Sequence, residues 1–226
     1  MERKKMGILN LFLFAGTRWL RFFFPTGWWK IRTQDKILYL TFDDGPIPEV
    51  TPFVLATLSK FQAKATFFVI GDNVRKFPEI ANLILNEGHA LGNHTDHHVS
   101  GFATSTAQYE QEVADCQARH PQMKAWFRPP YGRITFRQFW RLRKKYDIVF
   151  WDVLTQDYDP SLPPEACLQG SLRAIRPGSI VVFHDSWKAW PRLSFVLPHF
   201  LEEAAKQGYR FDLLPIPIKH STNTLT

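Results

Sequence analysis

Apolar positions in this chain fall into short unbroken runs, separated by longer stretches with helical periodicity. The first clear run covers residues 37–42 and reads as a continuous apolar strand. Lack of polar alternation marks a strand buried on both faces, as in a parallel sheet or barrel. Residues 48–60 follow with Val54, Leu55, Leu58 and Phe61 on one helical stripe. The spacing then predicts a strand over 65–70 closed by Gly71, and a helix over 73–87 with Gly88 past its end. A short strand at 89–92 leads to a helix over 104–119 that opens with Thr and Ser cap candidates. Further strands are expected at 124–127, 147–151, 179–183 and 209–213, and helices at 135–145, 163–175 and 193–207. Residues 128–132 carry two prolines and a glycine and read as loop. Repeated strand–helix units imply a parallel sheet with right-handed crossovers. About seven such units suggest an α/β protein with a closed or nearly closed barrel, with a doubly wound open sheet as the alternative.

The informative polar residues sit just after these strands. The first strand ends in Asp43-Asp44-Gly45-Pro46. Adjacent carboxylates repel, and a cation would offset that repulsion; the plain alternative is a solvated turn. His94 and His98 follow the third strand, four residues apart, so on a helical turn they share one face. His97, three from His94, is a geometric competitor. Arg128 and Tyr131 follow the fourth strand, Asp157 the fifth, and His184-Asp185 the sixth. In a barrel these ends converge on one rim. Two imidazoles and one carboxylate form a common ligand set for catalytic Zn²⁺, leaving a position for water. The remaining Asp would then be free to take a proton from that water.

Together these residues resemble the polysaccharide deacetylases, carbohydrate esterase family 4, with its NodB homology domain. Thr41-Phe42-Asp43-Asp44-Gly45-Pro46 is similar to the first family motif, and His94-Thr95-Asp96-His97-His98 to the His-Ser/Thr-x-x-His motif. Arg128-Pro129-Pro130-Tyr131-Gly132 is similar to the third, and Val182-Phe183-His184-Asp185 to the last, with Val182 where Leu is usual. The resemblance spans roughly residues 37–213 and implies a distorted (β/α)7-type barrel. It implies Asp43 as general base, and Asp44, His94 and His98 as holders of a divalent metal, Zn²⁺ with Co²⁺ or Ni²⁺ as alternatives. It further implies Arg128 orienting the base, the Tyr131 backbone N–H in an oxyanion hole, His184 as general acid, and Asp157 tuning it. The fourth motif departs: Leu154 stands where the family has its first acid and Tyr158 where it has Trp, while Asp157 keeps the second acid. Trp151 reads as core, and Trp187 and Trp190 as an exposed sugar platform or lid.

Composition adds bounds. The chain has 226 residues and a net charge of +7, with twenty Phe and eight Trp. Much of the positive excess precedes residue 35. The one later basic run, residues 141–145, reads as a solvated helix face, so nucleic acid is not an expected partner. Cys116 and Cys167 lack metal-site spacing and read as small core residues. Residues 1–34 form a basic and apolar segment, an anchor or a packing segment, ahead of a catalytic domain over 35–226. Its apolar run, residues 8–16, is too short to span a bilayer and no Ala-x-Ala site follows, which leaves peripheral membrane contact or packing under the domain. Cytoplasm and envelope both stay open, as does oligomeric state.

Three functions compete at this point. One is a metal-dependent deacetylase of N-acetyl (or O-acetyl) groups on a glycan such as peptidoglycan or chitin. The second is an amidohydrolase of the same fold acting on a small non-sugar amide. The third is a silent glycan-binding module, which would have no use for a general base and acid.

Overall fold

The computed structural model describes residues 21–216. Its strands are β1 (Ile37–Asp43), β2 (Ala65–Val69), β3 (Ala90–Asn93), β4 (Trp126–Phe127), β5 (Asp147–Ile148), β6 (Val153–Leu154), β7 (Ile180–His184) and β8 (Arg210–Phe211). They pair in the order β5-β4-β3-β2-β1-β7-β6, all parallel, with β8 beside the first two residues of β1. The helices are α1 (Val50–Lys60), α2 (Gly71–Lys76), α3 (Pro78–Asn86), α4 (Thr106–Ala118), α5 (Phe136–Leu142), α6 (Pro164–Ala174) and α7 (Trp190–Lys206). The sheet curls into a half-barrel, a distorted (β/α)7 barrel with helices outside, and not an open doubly wound sheet.

Side chains along β1 alternate between two buried environments, which is why its sequence shows no polar alternation. Leu38, Leu40 and Phe42 pack outward with Phe67, Val69 and the helices. Ile37 and Tyr39 pack inward with Phe68, Trp126, Val149 and Ile180. Thr41 and Asp43 continue that inward row, so the strand delivers its last carboxylate to the barrel interior.

Three sequence expectations change. The helix expected over 73–87 is two helices, α2 and α3. Pro78 disfavours helical backbone at Phe77, which sits at φ −131°, and Pro78 then opens α3. The last long helix starts at Trp190, before the expected 193, with Pro191 in its first turn. Trp190 packs edge-to-face on Phe53 at 5.0 Å, so it is an anchor of α7 and not a lid.

The described part of the N-terminal segment packs on the barrel. Trp28 N–H donates to Ile148 O at 2.8 Å, and Trp28 O accepts from Phe150 N–H at 2.8 Å. Ile31 N–H donates to Gly178 O at 2.9 Å, so this segment joins the β5 edge to the base of β7. Trp29 stacks on Phe150 with ring centroids 4.2 Å apart. The basic run at Arg3, Lys4 and Lys5 and the apolar run 8–16 lie outside the described residues.

Candidate active site

The strand-end residues line one cleft of about 640 Å³ at the C-terminal edge of the sheet. Asp43, Asp44, His94, His98, Tyr131, Trp151, Leu154, Tyr158 and His184 all face it. Arg128 and Asp157 lie behind this lining.

Asp43 is buried and accepts from Arg128 Nη1 at 2.6 Å. The guanidinium is fully buried. It also donates to Thr41 Oγ1 at 2.8 Å, Val149 O at 3.3 Å and Phe150 O at 3.1 Å, and it lies 4.1 Å from the centroid of the Phe68 ring. Burial pushes the Asp43 carboxyl up, and Arg128 opposes that shift. Backbone carbonyls and a hydroxyl therefore take up the Arg128 donors that Asp43 leaves, although Leu154 stands where the fourth motif has its first acid. Leu154, at that position in the motif, is a half-buried part of the cleft wall.

Asp44 turns away from its neighbour because its backbone is left-handed, at φ 84°. Asn73 Nδ2 holds this turn by donating to Asp44 O at 2.8 Å. The Asp44 carboxylate lies 3.3 Å from His98 Nε2 and 3.9 Å from His94 Nε2. His94 Nδ1 sits 2.8 Å from Arg128 O; a carbonyl only accepts, so Nδ1 carries the proton and the Nε2 lone pair is free. Burial pushes the His94 imidazole well below its usual range and keeps it neutral, as ligation requires. One potential donor atom from each of Asp44, His94 and His98 lies within 4.8 Å of the others. This nitrogen, nitrogen, oxygen set fits a divalent ion with an open coordination position.

The two histidines do not share a helical turn, as their spacing suggested. Residues 94–98 form a loop with left-handed backbone at Thr95 (φ 64°) and His98 (φ 55°). Asn93 Oδ1 accepts from Thr95 N–H at 3.0 Å and shapes that turn. His97 points out of the cleft, with Nδ1 3.0 Å from Glu112 Oε1.

On β7, in register with Asp43 of β1, His184 Nδ1 lies 2.7 Å from Asp157 Oδ1, and His184 N–H donates to Asp157 Oδ2 at 2.8 Å. Burial alone would lower the imidazole pKa. The Asp157 charge and hydrogen bond outweigh burial, and with Asp44 and Asp43 they bring it up to about 9. Asp157 is fully buried and held from behind, its backbone carbonyl accepting from Arg192 Nε at 2.5 Å. The Tyr158 ring meets His184 edge-on at 4.9 Å.

Tyr131 sits at φ 58° in a tight turn closed by Gly132 N–H donating to Pro129 O at 2.9 Å. Its ring lies 4.6 Å from His98 and is mostly exposed. Its own N–H has no partner among the described residues.

Sequence reasoning passed over Thr41, Asn73 and the role of Asp185. Asp185 is buried and accepts from Gly45 N–H at 3.0 Å and Thr51 Oγ1 at 2.6 Å, locking the Asp-Asp-Gly turn. Thr41 was within reach, since it shares the inward row with Asp43.

Comparison with known proteins gives the family. A family model described as polysaccharide deacetylase matches residues 30–151. The chain belongs to the polysaccharide deacetylase family. Membership places it among metal-dependent hydrolases of carbon–nitrogen bonds other than peptide bonds. This polysaccharide deacetylase is 34% identical over 197 residues to a peptidoglycan-N-acetylglucosamine deacetylase of Bacillus cereus, covering 83% of this chain and 91% of that one. It is 36% identical over 208 residues to a chitooligosaccharide deacetylase of a Bradyrhizobium species, covering 82% and 91%. The crystal structure of the Bc1960 peptidoglycan N-acetylglucosamine deacetylase with 4-naphthalen-1-yl-N-oxidanyl-benzamide superposes with a TM-score of 0.81. That match has 30% identity and covers 87% of this chain and 96% of the other.

Proposed function

We propose that this chain removes N-acetyl groups from amino sugars within a glycan of the peptidoglycan or chitin type, using zinc held by Asp44, His94 and His98. The observation that carries this reading is that two held titratable groups line one cleft with the donor triad. Arg128 holds Asp43, and Asp157 holds His184.

A divalent ion held there would supply Lewis acidity, making water more acidic and the acyl carbon more electrophilic. Asp43 takes the proton of the attacking water, and Arg128 offsets part of the cost of burying that carboxylate's charge. The Tyr131 N–H donates to the acyl oxygen as charge develops there. An amide cannot expel its nitrogen as an anion, so His184 delivers a proton to it, and Asp157 keeps the imidazolium available near neutral pH. The cleft opens to solvent past Tyr131, Arg133 and Lys188, which suits a polymer better than a small amide. Trp187, half exposed beside Trp190, offers an aromatic face at the C-terminal side of His184.

Acetate release from N-acetylchitooligosaccharides and from peptidoglycan tests the reading, with cation-loaded and chelated protein in parallel. Release from at least one glycan, only when loaded, is the expected result. A protein that holds one zinc per chain, releases nothing from either glycan and hydrolyses small amides would overturn it.

A further inference from the structure

The helix after the Tyr131 turn carries a surface that catalysis does not use. Along α5, Phe136 and Trp140 stand four residues apart on the outer side, and Lys144 continues that row past the helix end. Arg137, Arg141 and Lys145 form the adjacent row. Phe23 meets Phe136 edge-on at 6.2 Å, while its neighbour Phe24 turns inward and stacks on Phe150. The result is a continuous aromatic face. Phe22 is 88% exposed, Phe23 48%, Phe136 52% and Trp140 46%. These are four of the nine exposed large hydrophobic residues among those described, so the clustering is not incidental.

The charge around this face is mostly positive. Arg143 lies 4.6 Å from the Trp140 ring centroid, and Arg141 pairs with Glu110 at 2.6 Å. Arg137, Lys144 and Lys145 form no ion pair among the described residues. Aromatic rings beside unpaired cations are the composition that settles at an anionic lipid–water interface. We propose that this face docks on an anionic lipid bilayer.

The sequence next to the face supports a bilayer over the chain's own N-terminus as the occupant. Residues 1–20 attach at Arg21, directly beside Phe22. They carry Arg3, Lys4, Lys5 and Arg18 against one acid, Glu2, around the apolar run 8–16. That charge does not complement a cationic rim, whereas both complement an anionic surface. An acidic glycan would satisfy the cations and leave Phe22 and Phe23 in water.

Co-sedimentation of the full chain with large unilamellar vesicles tests this. Phosphatidylcholine alone is compared with a mixture containing phosphatidylglycerol, at low and high salt. The expected result is binding to the anionic vesicles only, weakened by salt. Two variants separate apolar from ionic contributions: F22S/F23S/W140S, and R137E/K144E/K145E. Each is expected to weaken binding by about tenfold or more, with circular dichroism and turnover of a soluble chitooligosaccharide unchanged. If the first variant misfolds, the second still decides. Absence of binding to anionic vesicles overturns the proposal. So does binding equal to wild type in the charge-reversal variant, which would assign the contact to the N-terminal segment alone. Selective loss of binding to an acidic glycan, with vesicle binding unaffected, also overturns it.

Discussion

Arg128 donates from Nη1 to Oδ1 of Asp43 at 2.6 Å, and both side chains are buried. A buried ion pair adds little net stability, because desolvation offsets attraction, but removing one partner strands the other's charge. Arg128→Met is therefore expected to cost about 3–5 kcal/mol in denaturant unfolding. Asp43→Asn/Arg128→Met should recover part of that loss, since the stranded carboxylate is gone, and should stay inactive. A double variant no more stable than Arg128→Met would mean that lost packing, and not charge, sets the cost.

Cation binding should separate the two neighbouring histidines. His98→Ala removes a donor from the Asp44, His94 and His98 set, and should lower zinc affinity by tenfold or more as an order of magnitude. His97→Ala removes a side chain bonded to Glu112 and should leave affinity unchanged. Isothermal titration of the apoprotein with zinc reads both.

The pH profile should report the Asp157–His184 pair. His184 has a pKa raised to about 9, so its protonated form persists through neutral pH and is lost above that value. A proton donor gives kcat a falling limb on the alkaline side. The bound cation pulls that limb somewhat lower, because like charge disfavours imidazolium. Asp157→Asn removes the carboxylate that raises the pKa, so the limb should move to lower pH. The KM for glycan should change little. A limb that stays in place with kcat reduced would make Asp157 a purely structural support.

Much of the site was legible because the fold's rule is simple. Unbroken apolar runs mark β1, β2 and β7, and residues just past them line the cleft. What escaped depended on partners elsewhere. Val153 and Leu154 form a strand only because β7 offers a ladder edge, and two residues have no periodicity to read. The left-handed residues Asp44, Thr95, His98 and Tyr131 are not themselves glycines, so the sequence does not mark their conformation. The Asn73 side chain stabilises the Asp44 turn from another segment, and that of Asn93 stabilises the Thr95 turn locally. Leu154 at the first acid position of the fourth motif could be read as a departure that leaves the Arg128 surroundings open. That Val149 O, Phe150 O and Thr41 Oγ1 take up its remaining donors required the barrel interior.

The most direct test compares amide with ester hydrolysis in zinc-loaded Asp43→Asn and His184→Ala proteins. Both reactions need activated water, so Asp43→Asn should lose about a hundredfold or more on an N-acetylated oligosaccharide and on an aryl acetate alike. Only the amide needs a proton on its leaving nitrogen. His184→Ala should therefore lose on the order of 10²–10⁴ on the oligosaccharide and far less on the aryl acetate. Equal losses on both substrates in His184→Ala would contradict the assignment of His184 as the general acid, and with it the division of labour between base and acid.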